Sequence, residues 1–234
     1  LNVDILHAHG FTGKGMTIAY VDQPVNDHSE YVGDNFHIAN NTNAETSMHG
    51  PAVLSLLAGK EIGTAPEAEV WFYGHAAWEA DQSTHAECLY QIIEQNKSLP
   101  DSERITMVAF SDNIDPSEKN AKAFEDAVKA CEEAGIMVWF CGEYASAAFL
   151  PLSDKNNYEN VIQDQWYGSA PELVYVPAGS RTTATGERGE YIYWASGGLS
   201  WTMPYVLGIY AIVKEIDPSL SQDDLRTMIV KTAY

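Results

Sequence analysis

Cysteine, positive charge and long apolar runs are all scarce in this chain of 234 residues, and each scarcity removes a class of protein. The three cysteines, Cys88, Cys131 and Cys141, are odd in number and share no CxxC or metal-type spacing. Neither a disulfide framework nor a cysteine-built metal site is therefore expected, and buried free thiols fit them best. Lys and Arg total 13 against 33 Asp and Glu, for a formal net charge of −20. That field repels nucleic acid and anionic membrane, so neither is expected as a partner. It suits solubility, and it also attracts basic peptides. No stretch reaches the roughly 18 apolar residues that a membrane-spanning helix needs. The opening has none of the basic, apolar and small-residue order of a signal peptide. Because residue 1 is Leu rather than Met, the chain is expected to be a processed product or an excised domain, without any prosegment or targeting segment.

What remains is the composition of a globular protein, 45% apolar and 20% charged, long enough for one domain over residues 1–234. The apolar run Met16 to Val21, closed by Asp22, predicts a buried strand. A polar loop is expected from there to about Thr46. A helix follows over Pro51 to Ala58, closed by Gly59. Strands are predicted at Val70 to Tyr73, Ile105 to Phe110, Ile136 to Cys141 and Leu173 to Val176. Helices are predicted at Ser83 to Gln95 and Ser117 to Ala134; in the second, Phe124, Ala127, Val128 and Cys131 recur at i, i+3, i+4 and i+7. Two more end the chain: an apolar one through Val206 to Val213, and one opened by Ser221 with Asp224 in a capping-box arrangement. Strands alternating with helices imply an α/β fold of three layers, a mainly parallel twisted sheet with helices on both faces.

In such sheets, sites gather where strands end and the following helices begin. Asp22 ends the first strand, His49 stands at the start of a helix, and Ser200 stands just ahead of another. A helix N-terminus offers unpaired N–H groups and a partial positive charge, which favour a nucleophilic serine; the same position also suits a serine that only caps the helix. Asp22 can equally cap a turn, and His49 can be an ordinary helix-start histidine. Together, however, they are a hydroxyl to attack, an imidazole to take its proton and a carboxylate to orient the imidazole. His7, His9, His28, His37, His75 and His85 lack a comparable setting and read as surface or loop residues.

The order Asp, His, Ser, with these surroundings, resembles the subtilisin-like serine proteases. Gly13 to Asp22 looks like that family's aspartate strand, His49-Gly50-Pro51-Ala52-Val53 its histidine motif, and Gly63-Thr64-Ala65-Pro66-Glu67-Ala68 the segment that follows. Pro177-Ala178-Gly179 resembles the turn upstream of the serine, and Gly198-Leu199-Ser200 through Pro204 the serine motif. The resemblance covers nearly the whole chain. It implies a serine endopeptidase with a triad of Asp22, His49 and Ser200 within or slightly beyond hydrogen-bond reach. Secreted or cell-surface location, no required cofactor and a peptide or protein substrate are implied likewise. It allows calcium, but no EF-hand-like ligand pattern is present and no metal site is assigned.

The departures bear on activity. Gln23 and Pro24 follow the aspartate where the family has Ser or Thr and then Gly; Pro51 and Ala52 replace Thr and His; Leu199 replaces Thr. Around the oxyanion, Gly142 and Glu143 match the family's Gly-Asn, so a carboxylate stands where an amide donor is expected. The alternative function is therefore a weakly active or inactive domain that binds peptides or proteins. The substrate strand is expected beside Ser111, Asp112 and Asn113, which lack the family's glycine. Asp112 hints at basic side chains in the substrate, or it is a turn residue capping the helix near Pro116.

Overall fold

The computed structural model describes residues 2–142, 145–149, 157, 159, 162–163 and 174–232. Along its first strand, Thr17–Asp22 (β1), successive side chains enter two separate cores. A strand buried on both faces does this because its side chains alternate with period two. Four more strands, Phe36–Asn40 (β2), Glu69–Gly74 (β3), Met107–Phe110 (β4) and Met137–Trp139 (β5), complete a parallel sheet in the order β2-β3-β1-β4-β5. In register, Thr17 faces Glu69 and Asp22 faces Gly74.

The helices are Val3–Ala8 (α1), His49–Ala58 (α2), Ser83–Ser98 (α3), Ala121–Glu133 (α4), Thr202–Ile216 (α5) and Gln222–Thr232 (α6). Ile18, Tyr20, Val70 and Phe72 of the sheet pack with Val53, Leu54 and Leu57 of α2 and Val206, Leu207 and Ala211 of α5. Ala19 and Val21 of β1, with Val108 and Phe110 of β4, pack on the opposite face with Leu89 and Ile92 of α3 and Phe124 and Ala127 of α4. The result is the expected three-layer α/β arrangement. Ala145–Phe149 (β6) lies between Ile162–Gln163 (β7) and Val174–Pro177 (β8) in a second, small sheet, and Arg181–Ala184 (β9) pairs antiparallel with Tyr191–Trp194 (β10). Among the described residues, no helix is long and apolar enough to cross a membrane.

Several boundaries differ from the sequence reading. The expected polar loop before Thr46 contains β2, a half-exposed edge strand whose pattern of partial burial leaves little apolar signal. Helix α4 begins at Ala121 rather than Ser117, because Asp115 turns the chain by accepting from the Ser117 amide at 2.8 Å and its hydroxyl at 2.6 Å. The strand expected over Ile136 to Cys141 is shortened to β5. The Leu173 end of another lies outside the described residues. The capping box at Ser221 forms: Asp224 donates its amide to the Ser221 hydroxyl at 3.1 Å, and its carboxylate accepts the Ser221 amide at 3.2 Å.

Candidate active site

Asp22 shares its face of β1 with Ile18 and Tyr20, so its carboxylate points to the layer of α2 and α5. It is 4% exposed, and its Oδ1 accepts from the Gln23 amide at 2.7 Å and from His49 Nδ1 at 2.6 Å. His49 reaches it because the first turn of α2 lies against the chain just after β1. A Cβ built on Gly50 would stand 2.1 Å from the Gln23 carbonyl oxygen, so only glycine allows this approach. Pro51 occupies the same first turn, where helix amides lack carbonyl partners and a missing N–H costs little.

The residues that depart from the family pattern contribute to this support. The His49 amide donates to the Ser47 hydroxyl at 3.1 Å, and that hydroxyl donates to the Gln23 side-chain oxygen. Gln23 thus holds the carboxylate through its amide and the start of α2 through its side chain. Burial opposes the charged imidazolium of His49, but the Asp22 carboxylate, its hydrogen bond and the more distant Asp112 charge outweigh it and raise the His49 pKa. With Nδ1–H donated to Asp22, Nε2 is the free basic nitrogen.

Ser200 lies in a single 3₁₀ turn, Leu199–Trp201, that leads into α5. The approach to the turn packs close to the chain just after β8: Gly197 has φ +68°, and a Cβ there would stand 1.9 Å from the Ala178 carbonyl oxygen. The Trp201 ring centre is 6.5 Å from that of His49. Among the described residues, no hydrogen bond joins the Ser200 hydroxyl to His49. Nucleophile–base contacts are commonly long in ligand-free enzymes and tighten with substrate.

Asp22, Gln23, His49, His75, Ser111 and Asp112 line a cleft of about 120 Å³, and Ser200 is not part of its lining. Asp112 does not cap a helix. Its Oδ2 accepts from His85 Nε2 at 3.2 Å and its Oδ1 from the Asn113 amide at 2.8 Å. Burial raises the Asp112 carboxyl, yet these donors and the neighbouring His75 hold its pKa below the ordinary value. Asn113 itself contributes its carbonyl, which accepts from the Gln82 side chain at 3.1 Å.

Of the surface or loop setting that the sequence suggests, His75 keeps only the loop, just after β3, and His85 neither, since it lies within α3. They are 2% and 1% exposed, with ring centres 4.3 Å apart. Burial and the His85 neighbour push the His75 pKa down to about 4. The signal for His85 was present: with Cys88, Leu89 and Ile92 it stands at i, i+3, i+4 and i+7 on the buried stripe of α3. His28 is also buried, at 2% exposed, where its Nδ1 accepts the Glu30 amide at 3.2 Å.

Glu143 lies outside the described residues, whereas Gly142 is described and exposed. All three cysteines are buried and free. Among the described residues, no group of three or more His, Cys, Asp or Glu side chains is placed to hold a metal ion.

No family model matches the chain. It is similar to alkaline elastase YaB of Bacillus sp. (strain YaB), 23% identical over 249 aligned positions that cover 98% of this chain and 62% of that protein. It is also 23% identical to subtilisin Savinase of Lederbergia lenta, covering 97% and 86% respectively. The chain therefore spans less than two thirds of the first of these relatives. Among solved structures, the PatG macrocyclase in complex with peptide superposes with a TM-score of 0.69 at 14% identity, covering 99% of this chain and 87% of that one. A cold adapted subtilisin-like serine proteinase superposes with a TM-score of 0.66 at 16% identity, covering 94% and 83%. At these identities the structures establish a shared fold.

Proposed function

We propose that this chain, a divergent member of the subtilisin-like serine protease family, is over residues 1–234 a peptidase domain that cleaves peptide bonds through an acyl-enzyme. The observation that carries the reading is the 2.6 Å bond from His49 Nδ1 to the buried Asp22 carboxylate, at the carboxyl end of the sheet, where Ser111 just after β4 also reaches the Ser200 carbonyl at 3.4 Å. Ser200 Oγ adds to the scissile carbonyl carbon while His49 Nε2 takes its proton. Asp22 keeps the imidazole in the required tautomer and stabilises the imidazolium. The imidazolium then protonates the departing amine as the C–N bond breaks. Water, deprotonated by His49, hydrolyses the acyl-enzyme and restores Ser200. The Ser200 amide, in the 3₁₀ turn that leads into α5, supplies one oxyanion donor, and the family resemblance assigns the second donor position to the Gly142-Glu143 pair. Substrate lies along Ser111, Asp112 and Asn113 as an added strand.

Labelling by a fluorophosphonate probe tests the reading. The wild-type chain is expected to be labelled between pH 5 and 9 and Ser200→Ala to be unlabelled. Absence of Ser200-dependent labelling overturns the peptidase reading. A second reading, a peptide-binding domain with little or no turnover, is favoured by Glu143 in place of an amide donor and by the missing Ser200–His49 hydrogen bond. It predicts peptide binding that survives Ser200→Ala, without labelling of the wild type.

A further inference from the structure

Tyr20 sits at the centre of the core with no solvent exposure, yet it carries a hydroxyl. A buried hydroxyl without a partner is costly, so its partner shows what the group is for. That partner is the Ser111 hydroxyl, 2.6 Å away at the end of β4. The Ser111 hydroxyl in turn donates to the backbone carbonyl of Ser200 at 3.4 Å. Direction follows from chemistry: the Ser200 carbonyl can only accept, so the single Ser111 proton goes there and the Tyr20 phenol must donate to Ser111 Oγ. Burial raises the Tyr20 pKa well above its ordinary value, which keeps the phenol protonated as this chain of donors requires. The Ser200 carbonyl is also short of a helical partner. The amide four residues on would serve a continuous helix, and residue 204 is proline, which has none.

We propose that Tyr20 is a positioning residue, which fixes the backbone of the Ser200 turn through Ser111 and so sets the nucleophile relative to the Asp22 strand. Tyr20 and Asp22 are two residues apart on one face of β1, so the orienting acid and the tie to the nucleophile's carbonyl come from the same rigid element. The Tyr20 ring is itself held, stacked on Phe72 at 6.4 Å between centroids with planes 4° apart. Phenylalanine at position 20 would keep this packing and delete only the tie. The consequence for rate rests on the peptidase reading above; the consequence for the Ser200 turn does not.

The experiment compares wild type, Tyr20→Phe, Ser111→Ala and Ser111→Thr by two measurements. Amide hydrogen exchange of the Gly198–Met203 segment reads the turn directly. Faster exchange there in Tyr20→Phe and Ser111→Ala, restored in Ser111→Thr and absent elsewhere in α5, is the expected result. Unchanged exchange in Tyr20→Phe overturns the proposal whether or not the chain is a peptidase. Fluorophosphonate labelling reads the nucleophile: in Tyr20→Phe the maximal labelling rate is expected to fall about five- to tenfold, the scale of one lost hydrogen bond, with half-saturating probe concentration unchanged. The double variant Tyr20→Phe/Ser111→Ala should be no slower than the slower single one, since both break one chain of bonds. A labelling rate equal to wild type in Tyr20→Phe also overturns the proposal. Wild-type chain that is not labelled, with faster exchange in Tyr20→Phe, leaves the tie standing and overturns the peptidase reading alone.

Discussion

Gly50 and Gln23 meet backbone to backbone: a Cβ on Gly50 would stand 2.1 Å from the Gln23 carbonyl oxygen and 3.0 Å from that of Pro24. That approach is what brings the start of α2 to the end of β1, and with it His49 to Asp22. Gly50→Ala must therefore push the two elements apart. Overpacking of this kind costs about 1–3 kcal/mol of stability. The larger effect falls on catalysis, where displacement by about 1 Å lowers rate on the order of a hundredfold. Fluorophosphonate labelling and a thermal melt on the same sample separate the two. A variant that keeps wild-type labelling would show that the approach does not position His49.

The charge of Asp112 acts on His49 from across the cleft. His49 must be neutral to take the Ser200 proton, and its pKa is raised, so the acid limb of the pH profile should lie above the 6.5 of an ordinary histidine. Asp112→Asn removes one of the charges that stabilise the imidazolium. The acid limb should move to lower pH, with the fully deprotonated rate nearly unchanged for an uncharged substrate. Labelling rate measured from pH 5 to 9 checks this, and a limb that stays or moves upward would contradict it. With a lysine- or arginine-containing peptide the same variant should raise KM, because the cleft loses a negative wall.

His75 gives stability a pH dependence of its own. Folded, it takes a proton only near pH 4; unfolded, it does so near 6.5. Between those values the unfolded chain binds more protons, so stability should fall as pH drops from 6.5 to 4 and then level off for this group. The difference is worth about 3 kcal/mol. His49 acts with the opposite sign: its contribution is present below 6.5 and lost as pH rises through its raised pKa. The comparison that isolates His75 is the slope of stability against pH in wild type and in His75→Gln. An equal slope in both would show that His75 does not stay neutral in the fold.

The residues that announced themselves in the sequence did so through strong local signals. The run Met16 to Val21 is apolar at every position but one, and Ser221 with Asp224 is a cap that forms from neighbours alone. β2 failed to show because an edge strand buries one side only in part, and His37 and Asn40 dilute the little apolar pattern it has. His75 reads as a loop residue because nothing local requires its burial; the contact with His85 is made only when β3 and α3 pack. The Tyr20–Ser111–Ser200 chain is equally silent, since three strand and helix ends separated by about ninety residues each must meet before any of its bonds exists. Tyr20 alone, an aromatic in a strand, looks like ordinary core.

Glu143 bears on the last outcome, because the family resemblance places it at the second oxyanion donor. An ionised carboxylate cannot donate a hydrogen bond, and its charge opposes the one that develops on the substrate oxygen. In subtilisin itself, loss of the corresponding amide costs about 2.7–4 kcal/mol of transition-state stabilisation. Glu143→Asn should therefore raise kcat, by at least about tenfold, with KM little changed, because the new donor acts on the transition state rather than on bound peptide. A Glu143→Asn variant with wild-type or lower kcat would show that position 143 does not face the oxyanion, and that the second donor comes from another group.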